Sequence, residues 1–374
     1  MKPGPPSPRA VGAILAQASF GIRWPEADLQ GAVCQNAPVM SPTQSREAAE
    51  WDARLQGWPA ANLLQSFAWG EVQNQAGWKV ARLEVETAAG RLPISAQVGE
   101  SGIPGFSRIY VPRGPVCDPA DVAAFQQVEK ALVDLGRERR ALALEIEAPW
   151  SEGSLPAGHP WLSWTAARAR QPLATVEVDL VAEPEAILGS FHPKARYNVR
   201  LAERRGVTID ELASVEQLVA CLRATESRQR IHLPSPEHVA LVVEQLGSRA
   251  RILAAQVEGE VVAAILTVGF ARRAVYLYGG ATGRHRERMP NQLLQWRAML
   301  RAREEGCHHY DLWGIPENDD PNHPFRGLAQ FKLGFGGRQI RFVGARSMQL
   351  RPGGKTVLSL ADSARRKART RGGG

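Results

Sequence analysis

The chain has 374 residues, and its 46 lysines and arginines exceed its 38 aspartates and glutamates to give a formal net charge of +8. Hydrophobic residues make up 44% and charged residues 22%, which is enough apolar material for a buried core and excludes disorder along the whole chain. This length predicts two domains. The positive charge fits nucleic acid, phosphorylated substrates or an anionic membrane face, and does not distinguish among them.

The cysteines and the apolar runs indicate the compartment. Cys34, Cys117, Cys221 and Cys307 stand far apart without a CxxC pair, so the sequence predicts neither a disulfide framework nor a zinc site. Separated thiols of this kind are typical of the reducing cytosol. No run approaches the ~18 consecutive apolar residues that a membrane-spanning helix needs. We therefore expect a cytoplasmic protein.

The two ends differ in composition from the interior. Four prolines stand among the first eight residues, and we expect residues 1–42 to be a disordered extension, with Met40 as an alternative start. The apolar run over 11–20 is short and follows these prolines, which disfavours a secretory signal. The basic tail over 363–374 is expected to be disordered and solvated, with weak attraction to membranes or RNA.

The interior contains an internal repeat, visible in pattern more than in identity. Each copy, over 81–149 and 252–316, has the order strand, tight turn, strand, strand, helix, strand. Landmarks of the two copies recur at offsets of 169, 170 and 167: Gly90 with Gly259, Gly136 with Gly306, and Pro149 with Pro316. A glycine turn between alternating runs predicts a hairpin, and a helix between two strands predicts a crossover to a parallel neighbour.

This layout resembles the N-acetyltransferase (GNAT) superfamily, so we expect an α/β fold of the α+β type with two tandem GNAT-like domains and mixed sheets. In the second predicted helix one face is apolar and should pack on the sheet: Met289, Leu293, Trp296 and Leu300. A CoA-dependent member would need glycines before this helix to cradle a pyrophosphate. Within residues 283–291 the only glycine is Gly283, and Pro290 has no N–H to donate. This segment therefore disfavours binding of CoA.

The densest basic segment of the interior spans residues 191–206 and is predicted to be helical. Pro193 suits a first helical turn, and Gly206 suits a C-terminal stop. Tyr197 and Leu201 lie beside the basic positions and are expected to anchor the helix. The anchored helix would hold its cations in fixed positions.

Three arginines recur every four residues in this helix and form one stripe, namely Arg196, Arg200 and Arg204. Guanidinium groups in such a row can bind phosphates through bidentate hydrogen bonds. A solvated helix face is the alternative interpretation. Because His192 and Lys194 add to the same cluster, the pattern favours anion binding.

Two further patterns suggest a site. Tyr276 and Tyr278 stand two residues apart and are expected on one side of a short strand, while residues 279–280 are glycines that would let a ligand approach the backbone. Lys332 lies between Phe331 and a leucine, which predicts partial shielding from water. Such a lysine can stabilise an oxyanion or hold a phosphate; core packing of the tyrosines and a snorkelling lysine are the alternatives.

Seven segments follow in order along residues 45–350, and they occupy 65–72, 111–116, 191–198, 276–279, 289–296, 310–316 and 331–337. Together they resemble the FemABX family of peptidoglycan-bridge aminoacyltransferases, in its shorter, lipid II:glycine glycyltransferase-like type without a long helical arm. The resemblance implies a first GNAT-like domain over 43–170, completed by about 343–362. It implies a second over 171–342, inserted between these parts.

The resemblance also implies the reaction. An amino acid, either glycine, alanine or serine, would move from aminoacyl-tRNA to the side-chain amine of a peptidoglycan precursor, either lipid II or UDP-MurNAc-pentapeptide. No cofactor and no metal are implied, and the enzyme would be a cytoplasmic monomer with peripheral contact at the inner, anionic face of the plasma membrane. The alternatives are a CoA-dependent GNAT N-acyltransferase and a non-catalytic tRNA- or membrane-binding module.

Residue by residue, the resemblance implies that Lys332 is the catalytic group, stabilising the oxyanion formed when a neutral amine attacks the aminoacyl ester. The expected substrate-binding residues are Phe331, Tyr278, Tyr276, Lys194, Arg196, Arg200, Arg228, Trp69 and Asn291. Where relatives place a phosphate-binding lysine this chain has Gln73, and the candidates to replace it are Arg228, Arg230 and the Lys194/Arg196 cluster. Asp311 and Glu317 are candidate bases, with a buried structural role as the alternative.

Overall fold

The computed structural model describes residues 42–229, 233–317, 320, 323 and 325–354. The expected basic tail, and all but the last residue of the expected N-terminal extension, lie outside them. The described residues form two compact units, a central unit over 170–341 and an N-terminal unit over 42–169 with 342–354. Within this part of the chain, none of the helices combines the length and apolar character that crossing a membrane requires.

The N-terminal unit is built on a six-stranded mixed sheet. Its elements are α1 (Pro42–Gln56), α2 (Phe67–Gln75), β1 (Lys79–Thr87), β2 (Gly90–Glu100), β3 (Ser107–Pro112), α3 (Val122–Glu138), β4 (Ala141–Glu147), β5 (Thr165–Ala167) and β13 (Ala345–Gln349). The strand order is β1-β2-β3-β4-β13-β5. The predicted hairpin is the antiparallel pair β1–β2, and the predicted crossover is α3 between the parallel strands β3 and β4.

The central unit repeats this plan on a seven-stranded mixed sheet. Its elements are β6 (Ala174–Asp179), α4 (Pro184–Ser190), α5 (Pro193–Arg204), β7 (Thr208–Asp210), α6 (Val215–Gln229), α7 (Pro236–Leu246), β8 (Ala250–Val257), β9 (Glu260–Phe270), β10 (Arg273–Ala281), α8 (Pro290–Glu304), β11 (His309–Ile315), α9 (Arg326–Leu333) and β12 (Arg338–Arg341). The strand order is β12-β6-β11-β10-β9-β8-β7. The hairpin β8–β9 and the parallel pair β10–β11, joined by α8, confirm the second copy of the repeat.

Helices cover both faces of the central sheet. On one face α5 and α8 pack against a core that contains Leu293 and Trp296, with Met289 and Leu300 partly buried against it, as predicted. On the other face α6 packs against β9 and β10 and buries Cys221. The predicted fold class, two α/β units with mixed sheets, is therefore confirmed.

The predicted basic helix exists as α5, but its anchors differ from the prediction. Tyr197 is 57% exposed and Leu201 is only partly buried. The buried positions recur with helical period and are Ala195, Asn198, Val199 and Ala202. Tyr197 lies about 200° around the helix from Ala195 at 3.6 residues per turn, so its ring points away from the core.

Candidate active site

The parallel strands β10 and β11 separate after a short stretch of pairing. They pair only from 273–275 to 309–311, and beyond that point β10 has a register shift between Tyr276 and Tyr278 and β11 has one between Asp311 and Gly314. In the N-terminal unit, pairing of the corresponding strands continues to the end of β4. Bulges are common beside active sites, and ligands of α/β sheets bind at the carboxyl ends of parallel strands, so this opening is the candidate site.

Lys332 lies at this opening. It is carried by α9, its side chain is 3% exposed, and its Nζ donates a hydrogen bond of 2.8 Å to the carbonyl oxygen of Gly314. The Nζ is 5.5 Å from the ring centroid of Tyr276. Lys332 is therefore buried more deeply than the partial shielding expected from its neighbours.

Burial sets the charge state of Lys332. The loss of hydration lowers the pKa of the Lys332 amine to about 7, while attraction to the carboxylate of Asp311 opposes this shift. At neutral pH the charged and neutral forms of the amine are therefore both populated. A buried group with such a pKa is typical of functional sites.

A strained bulge in β11 positions the partner of Lys332. Trp313 adopts a left-handed conformation with φ of 61°, which is rare for a bulky residue. The carboxylate of Asp311 accepts hydrogen bonds from the Trp313 amide, at 2.8 Å, and from the Thr175 hydroxyl of neighbouring β6. These bonds stabilise the bulge that turns the Gly314 carbonyl toward Lys332. Thr175 was not predicted as a site residue, because no motif marks it. Gly314 lies in one of the seven segments, 310–316, but no role was predicted for it.

Of the two candidate bases, Asp311 has the structural role. It is 7% exposed, and the Thr175 and Trp313 bonds converge on its Oδ1. Glu317 is exposed just after β11.

Replacing Asp311 by asparagine tests how far its charge supports the ammonium of Lys332. Asparagine can still accept both bonds through its Oδ1, but it removes the negative charge that raises the pKa of Lys332. In the reaction that the resemblance implies, the charged amine of Lys332 is the active form, so we expect the alkaline limb of the pH profile of transfer to move to lower pH. A shift of one pKa unit would lower transfer by up to about tenfold above pH 7. An unchanged profile in a folded variant would show that the carboxylate charge is irrelevant.

The prediction that Tyr276 and Tyr278 share one side of β10 is wrong. Because of the bulge, Tyr276 pairs with Thr267 and Tyr278 pairs with Leu266, which are neighbours on β9 and point to opposite faces. Tyr276 packs against the core shared with α8, near Lys332. Tyr278 lies on the face covered by α6 and α7, where its hydroxyl is 3.3 Å from Nε2 of buried His238.

The two glycines after these tyrosines do not leave an open backbone for a ligand, contrary to the prediction. A Cβ at Gly279 would collide with the hydroxyl of Tyr276, and a Cβ at Gly280 would collide with the backbone of Cys221 in α6. The glycines therefore admit the Tyr276 ring on one face and helix α6 on the other.

Phe331 anchors the helix that carries Lys332. Its ring meets Phe335 edge-to-face at 5.1 Å, and Phe335 meets Phe191 at 5.2 Å. Phe191 in turn meets Trp296 of α8 at 5.5 Å. This row of aromatic rings fixes α9 against the core, so that Phe331 lies beside Lys332 with part of its ring still exposed.

The remaining predicted residues are spread over several elements. Lys194, Arg196 and Arg200 lie on α5, and Arg228, at the end of α6, donates a bond of 2.8 Å to the carbonyl of Ala281 at the end of β10. Asn291 is exposed in the first turn of α8. Arg230 lies outside the described residues.

Trp69 belongs to α2 of the N-terminal unit, and it is 3% exposed. Of the eight predicted substrate-binding residues in the central unit, the structure brings Tyr276 and Phe331 to Lys332.

Comparisons with known proteins agree with this architecture. The FemAB family matches residues 47–154 and 237–361 of the chain. The lipid II:glycine glycyltransferase of Staphylococcus saprophyticus subsp. saprophyticus is 21% identical over 363 residues, covering 76% of this chain and 87% of that protein. The enzyme of the same name from Staphylococcus aureus is 21% identical over 370 residues, covering 77% and 88%.

A solved structure has a similar fold. The crystal structure of FemX matches with a TM-score of 0.74 and 18% identity, covering 83% of this chain and 98% of that one. The resemblance seen in the seven sequence segments is confirmed, since the family match spans more than half of the chain. This chain is therefore a member of the FemAB family.

Proposed function

We propose that this protein is an aminoacyltransferase that moves an amino acid from aminoacyl-tRNA to the side-chain amine of a peptidoglycan precursor, either lipid II or UDP-MurNAc-pentapeptide. Family membership and the names of the staphylococcal relatives, which act on lipid II and transfer glycine, support the reaction class. The observation that carries the proposal for the site is the buried amine of Lys332 at the opening between β10 and β11.

The chemistry needs charge stabilisation more than covalent catalysis. The ester that joins the amino acid to tRNA is already activated, so a neutral amine of the precursor can attack its carbonyl carbon directly. The C–N bond forms, the ester C–O bond breaks, and one proton of the amine passes to the departing ribose hydroxyl. The oxyanion of the tetrahedral intermediate is the species that the enzyme must stabilise.

Lys332 is suited to this role in its protonated form. Its bond to Gly314 fixes the position of the Nζ, and its burial gives a charge there a stronger effect than it would have in water. The aromatic row through Phe331 and the bulge held by Asp311 limit the movement of both elements. Because the charged group is held in position before the reaction, the site does not have to reorganise as the oxyanion forms.

A transfer assay tests the proposal. Purified protein would be given tRNA charged with radiolabelled glycine, alanine or serine, together with either precursor, and the stem peptide would be analysed by mass spectrometry. We expect a mass increase of one residue with one of the donors. Acyl transfer from acetyl-CoA, with none from aminoacyl-tRNA, would instead establish the CoA-dependent enzyme. Binding of charged tRNA without any product would establish the non-catalytic module.

A further inference from the structure

One face of α5 is strongly basic, and no acidic residue in the described part of the chain pairs with it. We define this basic face by Lys194, Arg196, Arg200 and Arg204. Among the described residues, none of these four cations has a carboxylate within 4 Å, whereas arginines elsewhere in the same unit are paired, for example Arg297 with Glu211 and Arg301 with Glu305. Four uncompensated cations on one helix indicate a surface for a polyanion.

The basic face begins beside the candidate active site. The amide of His192, which caps α5, donates a bond of 2.9 Å to the carbonyl of Gly334, immediately after the helix that carries Lys332. From there α5 runs for 12 residues, or about 18 Å. Arg200 and Arg204 stand about 6 Å apart along the helix axis. A long anion with one end at Lys332 could therefore contact this face.

The opposite end of the basic face is extended by the loop before α8. The guanidinium of Arg288 donates to the Arg205 carbonyl at 3.1 Å, and that of Arg205 donates to the Glu287 carbonyl. These bonds hold the loop against the end of α5. Arg286 in this loop is exposed, and no described carboxylate pairs with it, so it adds a further cation.

We propose that the basic face of α5 binds phosphates of the acceptor arm of tRNA while the aminoacylated 3′ end lies at Lys332. This inference rests on the proposed function, because it assigns the binding surface of the proposed donor. Guanidinium groups suit bidentate contacts to phosphate. A membrane surface fits less well, because the apolar side of α5 is buried and Tyr197 is its one large exposed hydrophobic residue.

The test replaces Arg200 and Arg204 by glutamine and compares the variant with a matched control, Arg297→Gln with Arg301→Gln. Both pairs are four residues apart on helices of the central unit, and both variants lose two positive charges. Binding of an uncharged RNA hairpin with the acceptor-stem sequence would be followed by fluorescence anisotropy at several salt concentrations. Transfer from aminoacyl-tRNA would be measured in parallel.

We expect the Arg200→Gln/Arg204→Gln variant to bind the hairpin roughly tenfold more weakly, with a salt dependence reduced by about one unit of slope for each lost phosphate contact. KM for aminoacyl-tRNA should rise while kcat stays near the wild-type value. The control variant should match the wild type in all three measurements.

Four results would contradict the proposed binding surface. Equal weakening in both variants would show a diffuse charge effect, and unchanged RNA binding with lost binding to phosphatidylglycerol vesicles would show a membrane surface. Normal transfer and KM in the Arg200→Gln/Arg204→Gln variant would reject the surface while leaving the proposed function intact. A wild-type protein that neither binds the hairpin nor transfers an amino acid would reject both.

Discussion

Replacing Lys332 by methionine is expected to lower aminoacyl transfer by about 100- to 1000-fold while the protein stays folded. Methionine has a similar length and no branch, so it fits the buried space that the Lys332 side chain occupies, but it carries no charge. The removal of one group that stabilises an oxyanion typically lowers kcat by this factor. The measurement is single-turnover transfer from aminoacyl-tRNA to the precursor, which separates the chemical step from product release.

The matched control for this experiment is Lys130→Met, which makes the same chemical change at an exposed position of α3. It should leave transfer unchanged. Near wild-type transfer by a folded Lys332→Met variant would reject the catalytic assignment, whereas a rise in KM alone would show that Lys332 binds substrate without stabilising the intermediate.

The course of the chain within the two repeats could be predicted from sequence, because it follows from local signals. Apolar alternation defines strands, and glycine turns such as Gly90 and Gly259 define the hairpins. The helices α3 and α8 have apolar residues at helical spacing, and each lies between two strands that then pair in parallel. Both copies of the repeat could therefore be found without close identity between them.

The geometry of the site could not be predicted, because it depends on two bulges. A run of alternating residues contains no signal that places Trp313 in a left-handed conformation. That conformation is stabilised by Asp311 and by Thr175, which is 136 residues away in sequence from Asp311. A bulge also explains why the prediction that Tyr276 and Tyr278 share one side of β10 is wrong, since side chains alternate with period two only where strand pairing is regular. The catalytic role of Lys332 stays a prediction, drawn from the family resemblance.

The arrangement around Lys332 favours function at a cost to stability. Burial of an amine that titrates near neutrality is unfavourable for folding, and the Asp311 carboxylate offsets only part of this effect. The strained backbone at Trp313 adds to the same penalty. Sites that hold a charge ready for a reaction commonly lower the stability of the fold around them.

The Lys332→Met substitution is therefore also expected to stabilise the central unit near neutral pH. In the folded protein the pKa of Lys332 is about 7, against an ordinary value of 10.5. Each pKa unit corresponds to about 1.4 kcal/mol, so the upper limit of the gain is about 5 kcal/mol. The substitution also removes the hydrogen bond from Lys332 to the buried carbonyl of Gly314, which lowers the stability of the variant by about 1–3 kcal/mol. The net gain should therefore be at most roughly 2–4 kcal/mol.

The sign of the pH dependence distinguishes this explanation from a simple packing effect. Between pH 7 and 10.5 the unfolded chain binds a proton at Lys332 that the folded protein does not, so wild-type stability rises with pH across this range. Below pH 7 both states are protonated and the full penalty is present. The advantage of Lys332→Met should therefore be largest at and below pH 7 and should decrease as the pH rises. Near pH 10.5 it should become a disadvantage, because only the loss of the hydrogen bond to Gly314 remains there.

Hydrogen exchange of peptides from β10, β11 and α9, measured between pH 6 and 10 and corrected for intrinsic exchange rates, gives the free energy of unfolding of this region. This readout is preferable to a single denaturation midpoint, because a chain with two compact units need not unfold in one step. A stability difference that stays constant with pH would show that the variant acts through packing alone. A wild-type protein that is more stable than the variant at pH 7 would mean that the Lys332 ammonium is fully compensated by its surroundings, and its pKa would then lie well above 7.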